Sequence, residues 1–130
     1  KFRSSRIVTF AGLLFLLAEH GRQADGDVAW LLPHLDKTPL ERVLYVFAQY
    51  DECDPTQFLS AYADVHALLS DGDIRRELIA ASPRAAGDPV QSEAYAEIHA
   101  LGARLMDELT RFALARHADW PLKIFRNWLL

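Results

Sequence analysis

Thr38-Pro39-Leu40-Glu41-Arg42-Val43-Leu44-Tyr45-Val46-Phe47 is the stretch on which the fold class turns. Threonine followed by proline, with glutamate three positions on, forms a capping box. The hydroxyl accepts from a backbone amide one turn into the helix, the glutamate reaches back to the amide of the threonine, and proline sits where its missing N–H costs nothing. Leu40, Val43, Leu44 and Phe47 then recur every three to four positions, so one face of a helix reaching about Tyr50 points inward.

Downstream, Asp54-Pro55-Thr56-Gln57 repeats this start chemistry and opens a second helix with Phe58, Ala61, Tyr62, Val65, Leu68 and Leu69 as its stripe. Asp71-Gly72-Asp73 breaks that run and caps a short helix from Ile74 to about Ala81, which Pro83 ends. Residues 82–89 hold two prolines, a glycine and small side chains, and read as the one long loop and the expected mobile site. A long helix from about Val90 to His117 carries Ala94, Ile98, Leu101, Leu105, Leu109 and Phe112 on one face and Glu93, Glu97, Arg104, Asp107 and Arg111 on the other. Asp107 and Arg111, four apart, should pair, and Gly102 beside the stripe suggests a close helix crossing. A last helix begins at Trp120-Pro121 and turns Leu122, Phe125, Trp128 and Leu129 inward.

Upstream, Ser5 to His20 is apolar almost all round and should be central, with Gly21 suited to a left-handed C-terminal cap. A short helix from about Asp27 follows, limited by Pro33. Alternation of period two never persists for more than about four residues, short of a normal strand. The expectation is all-α: a compact bundle of about six to seven helices with one long helix near the C-terminus. With no repeat, low-complexity tract or linker, residues 1–130 read as a single domain, and the start at Lys1 and the stop within an apolar pattern suggest a fragment or processed form.

Composition limits function. At 51% hydrophobic and 25% charged, the 130 residues make an ordinary globular domain. Between Asp25 and Asp73 ten acids face two bases, Lys37 and Arg42, a stretch that repels phosphate backbones. Lys1, Arg3, Arg6 and Arg22 against Glu19 form at most a small basic patch. The apolar run Ile7–Ala18 behind a basic start superficially resembles a signal peptide, but it has no Ala-x-Ala cleavage site. It also falls short of the roughly 20 apolar residues a membrane span needs. Cys53 is the sole cysteine, so no intrachain disulfide forms, and a cytoplasmic location is expected. Its acidic neighbours Asp51, Glu52 and Asp54 should raise its pKa and blunt it as a nucleophile.

Catalytic and metal chemistry find no pattern. The five histidines, at 20, 34, 66, 99 and 117, include no His-x-x-x-His and no Glu-x-x-His pair, and Asp64-x-His66 and Glu97-x-His99 send their side chains to different faces. His66 beside Tyr62 and His99 beside Tyr95 and Met106 read as helix flanks. The acidic turn at 51–54 lacks the twelve-residue calcium loop, and no nucleophile elbow or phosphate loop occurs. The expectation is no enzyme, no cofactor and no bound metal.

Three functions stay open. The first is a regulatory or protein–protein interaction domain, with itself or another protein as partner, because Trp120, Leu122, Ile124, Phe125, Trp128, Leu129 and Leu130 crowd eleven residues. Trp120, Phe125, Arg126 and Trp128 are its candidate contact residues. Secondly, the apolar helix ending Ala18-Glu19-His20-Gly21, the segment Asp27-Val28-Ala29-Trp30-Leu31-Leu32 and the capped helix from Thr38 together resemble the helix-turn-helix of bacterial repressors over about residues 10–50. That resemblance implies DNA contacts from Arg42, Tyr45 and Gln49, against an acidic local charge. The third is a small-molecule sensor pocket lined by Trp30, Tyr45, Tyr62 and His66. The run Arg6-Ile7-Val8-Thr9 also resembles the central helix of the apoptosis-regulator family, although Arg3-Ser4-Ser5 stands where that family has asparagine-tryptophan-glycine.

Overall fold

The computed structural model describes residues 3–23, 28–80, 93–121 and 123, with side chains from residue 6 onward. The described residues form six helices and no strand: α1 (Arg3–Arg22), α2 (Val28–Leu35), α3 (Pro39–Phe47), α4 (Thr56–Ser70), α5 (Gly72–Ala80) and the long α6 (Glu93–Ala115). The fold class is all-α, with the longest helix near the C-terminus. Among the described residues no helix is long and apolar enough to cross a membrane. The expected loop at 82–89 and the last helix beyond Trp120-Pro121 lie outside the described residues, apart from Pro121 and Lys123.

Contacts divide the chain into two units, Lys1–Pro55 with Glu108–Leu130, and Thr56–Asp107. In the first, α1 packs chiefly on α3. The capping box forms as expected: the Glu41 amide donates to Thr38 Oγ1 (3.3 Å) and the Thr38 amide to Glu41 Oε2 (2.7 Å). That start directs Val43, Val46 and Phe47 into the interior. Phe15 of α1 lies among Phe47, Phe112 and Trp120, with ring centroids 6.4, 5.4 and 5.2 Å away, and Phe47 and Phe112 approach to 4.1 Å. Phe15, Leu16, Val43 and Val46 are among the largest fully sealed side chains of this unit.

Glycine sets the α1 to α3 distance at a position the periodicity does not mark. A Cβ at Gly12 would lie 2.7 Å from the Pro39 carbonyl oxygen and 3.2 Å from Arg42 Cβ, so only glycine lets the start of α3 come this close. Gly102, the expected crossing point, has nothing among the described residues within 4 Å of such a Cβ. Gly21 is not a left-handed cap either, since α1 continues through it to Arg22. Its bare face admits the Pro121 ring, 3.0 Å from a hypothetical Cβ. Pro33 falls inside α2 and does not end it, and α3 stops at Phe47, three residues before Tyr50, with Ala48 as C-cap.

In the second unit, Phe58, Ala61 and Val65 of α4 and Ala94, Ile98 and Leu105 of α6 are buried, all members of the stripes read from sequence, and Leu78 of α5 is buried with no stripe to mark it. Asp71 caps α5, accepting from the amides of Asp73 (2.8 Å) and Ile74 (3.1 Å). Arg104 donates to Asp64 (3.1 Å) and Ser60 (3.4 Å), joining α6 to α4. The expected Asp107–Arg111 pair is replaced: Arg111 bonds Glu108, three positions back, at 2.9 Å. Both spacings share a helix face, and the shorter reach suits this glutamate.

Candidate interaction surface

Among the described residues of the first unit one carboxylate is fully buried, Glu19 near the end of α1. A charge sealed from water needs donors on its lone pairs, and distant parts of the chain supply them. Arg22, one turn on, donates from Nε (2.7 Å) and Nη2 to Oε1. The Tyr50 hydroxyl, just past α3, donates to Oε2 at 2.7 Å, and the Trp120 indole N–H lies 3.3 Å from Oε2 and 3.1 Å from the Tyr50 oxygen. Arg116 lays its guanidinium 4.2 Å over the Tyr50 ring and pairs with Glu52.

The ionisation equilibria follow this geometry. The hydrogen bond to Glu19 raises the Arg22 pKa, while burial, and then the bond and charge of Glu19, push Tyr50 well above the ordinary phenol. The Arg116 bond lowers Glu52. Cys53 is raised, as expected, but chiefly by burial; Glu52 and Asp54 add to the effect and Arg116 opposes it.

This cluster relocates Trp120. Expected among the contact residues, it is 3% exposed, with its ring against Phe15 and Phe112 and its N–H on Glu19, so within the chain it serves the interior. Phe125, Arg126 and Trp128 lie outside the described residues.

An apolar surface does occur, on the outward side of α1. Phe10, Leu13 and Leu17 are 53%, 41% and 41% exposed, while Val8, Ala11, Leu14, Phe15, Leu16 and Ala18 are buried. Spacings of three and four put the exposed trio in one row. No charged residue occurs from Ile7 to Ala18, so the outer face of α1 is uncharged between Arg6 and Glu19. The all-round apolar pattern from Ser5 to His20 was the available signal in the sequence, and it reads as an enclosed helix because such helices are ordinarily buried.

The residues of the other readings are placed as follows. Arg42 donates from Nη2 to the Leu35 carbonyl, Tyr45 stacks on His34 with centroids 4.0 Å apart, and Gln49 donates to the Tyr45 carbonyl (3.0 Å). Each residue expected to read DNA is therefore engaged within the chain. Of the expected pocket lining, Trp30 and Tyr45 meet in the first unit at 6.1 Å, whereas Tyr62 and His66 meet in the second at 6.3 Å. His99 packs beside Tyr95 at 6.5 Å. Among the described residues no group of three or more His, Cys, Asp or Glu side chains is arranged to hold a metal ion. Compared with protein-family models, curated proteins and solved structures, the chain matches none.

Proposed function

We propose that the chain is a regulatory protein–protein interaction domain without catalytic chemistry, and that it self-associates through the outward row of α1. The observation that carries this reading is the exposure of Phe10, Leu13 and Leu17 on a helix that lacks any charge from Ile7 to Ala18. Interface centres are depleted in charge and rich in large apolar side chains, whereas the free face of an ordinary surface helix is polar. The row suits a second copy because it is nearly symmetric about Leu13. An antiparallel two-fold pairing sets Phe10 against Leu17 of the other copy and Leu13 against its own counterpart. A cytoplasmic setting accompanies this reading, on the strength of the single cysteine.

Sedimentation equilibrium of the wild type and of Leu13→Glu/Leu17→Glu tests it. Wild type should dimerise with rising concentration, largely independently of salt because the row is uncharged, and the double variant should stay monomeric with unchanged helix content. A wild-type monomer throughout, or a dimer the double variant leaves intact, overturns the proposal. The DNA reading has weaker support, since it requires Arg42, Tyr45 and Gln49 to leave their present partners.

A further inference from the structure

α2 is held differently from its neighbours. None of its eight residues is buried, Pro33 inside it lacks an amide donor, and Val28 and Leu32 are 59% and 57% exposed. Besides the bond from Arg42 to the Leu35 carbonyl, a column of rings attaches it: His20 of α1 lies 6.1 Å from Trp30, Trp30 lies 4.8 Å from His34 and 6.1 Å from Tyr45 of α3, and His34 stacks on Tyr45 at 4.0 Å.

His34 Nδ1 and His20 Nε2 are both sealed from solvent without a hydrogen-bond partner. A neutral imidazole can leave one nitrogen as an unused acceptor, but a protonated ring carries N–H on both and needs an acceptor at each. α2 has no other titratable group. The turn after it brings Lys37, whose ammonium lies 5.8 Å over the Tyr45 ring, and α3 brings Arg42, bound to the α2 carbonyl of Leu35 with its Nε buried and unpaired. Among the described residues the nearby acids offer no relief. Asp36 is exposed, Glu41 is occupied by Thr38, and on α1 Glu19 is taken by Arg22, Tyr50 and Trp120.

We infer that α2 is an acid-releasable strap: a proton on His34 breaks the ring column and frees Val28–Leu35 from α1 and α3. The proton would put an N–H on the sealed Nδ1, where no described residue offers an acceptor, beside the cations Lys37 and Arg42. Burial, and then Lys37, already lower the His34 pKa from 6.5. The attachment is therefore complete above that value and weakens as pH falls through it toward the lowered one, by up to about tenfold for each pH unit between the two.

Hydrogen-exchange protection factors of the whole chain at pH 7.5 and 5.5 test this. Protection of amides 28–35 should fall at the lower pH while amides 56–70 keep theirs, and His34→Phe should abolish the difference. Equal protection of 28–35 at both pH values, or a loss shared equally by 56–70, overturns the strap. Should His34→Phe fail to fold, NMR titration of His34 in the wild type decides: a midpoint below 6.5 that moves the Trp30 indole signal in step supports it, and a midpoint at or above 6.5 overturns it.

Discussion

Glu19 holds together groups that start 31 and 101 positions away, and it does so from the interior. Removing it strands the Tyr50 hydroxyl, the Trp120 indole and the Arg22 guanidinium together. Glu19→Ala should therefore cost about 3 kcal/mol by urea denaturation, and Tyr50→Phe, which removes one donor to a charged acceptor, about 2 kcal/mol. A Glu19→Ala protein as stable as wild type would remove the network from any account of the fold. The glycines give a sharper contrast. At Gly12 an added methyl meets backbone oxygen at 2.7 Å, so Gly12→Ala should destabilise by about 1–3 kcal/mol. At Gly102 it meets open space within a helix, so Gly102→Ala should stabilise by about 0.5–1 kcal/mol, both read from thermal midpoints. Helical periodicity sees neither fact. It assigns each residue a face but gives no identity to the neighbour across it, which is why the close crossing was expected at Gly102 and Glu19 read only as a counter-charge to the N-terminal bases.

Elements were far more legible, because their signals are local. Proline, cap and apolar spacing lie within one turn of each other at residues 38–41, and the helix begins where they place it. Thr38→Ala should cost about 1 kcal/mol by removing the Oγ1 acceptor, measurable as a lowered urea midpoint. The same substitution with the Glu41 side chain already absent should cost less, since the two bonds form reciprocally, and full additivity in the double variant would mean the box does not act as a unit. What stayed illegible at this scale were endings, at Gly21 and Pro33. A helix terminus depends on what the last turn packs against, here Pro121 on Gly21 and the ring column on α2, and those partners are remote in sequence.

At the scale of the molecule, the absence of a linker suggests one domain, and α6 runs without interruption through residues belonging to both contact units, a division that no composition shift marks. The candidate surface was half legible: the apolar load of α1 was plain, but which of its sides is exposed depends on how Phe47, Phe112 and Trp120 pack on Phe15. The pooled ionisable groups yield a stability profile with assignable limbs. His34 is lowered, so its contribution is complete above 6.5 and is lost as pH falls through its lowered value; Glu41 and Glu52, also lowered, contribute above 4.5 and fail further into acid. Cys53 and Tyr50 are raised, from 9.0 and 10.0, so they stabilise below those values and cease to as pH climbs through their raised ones. Urea midpoints taken from pH 4 to pH 11 should form a plateau between about 7 and 9, with a shallow fall on the acid side and a steeper one on the alkaline side. The alkaline limb belongs to two named groups, because ionising Tyr50 would set a phenolate against the buried Glu19 carboxylate that its proton now bonds. Tyr50→Phe/Cys53→Ala should therefore begin from a lower plateau yet remain flat to pH 11, and a limb as steep as that of the wild type would mean that the alkaline transition arises elsewhere.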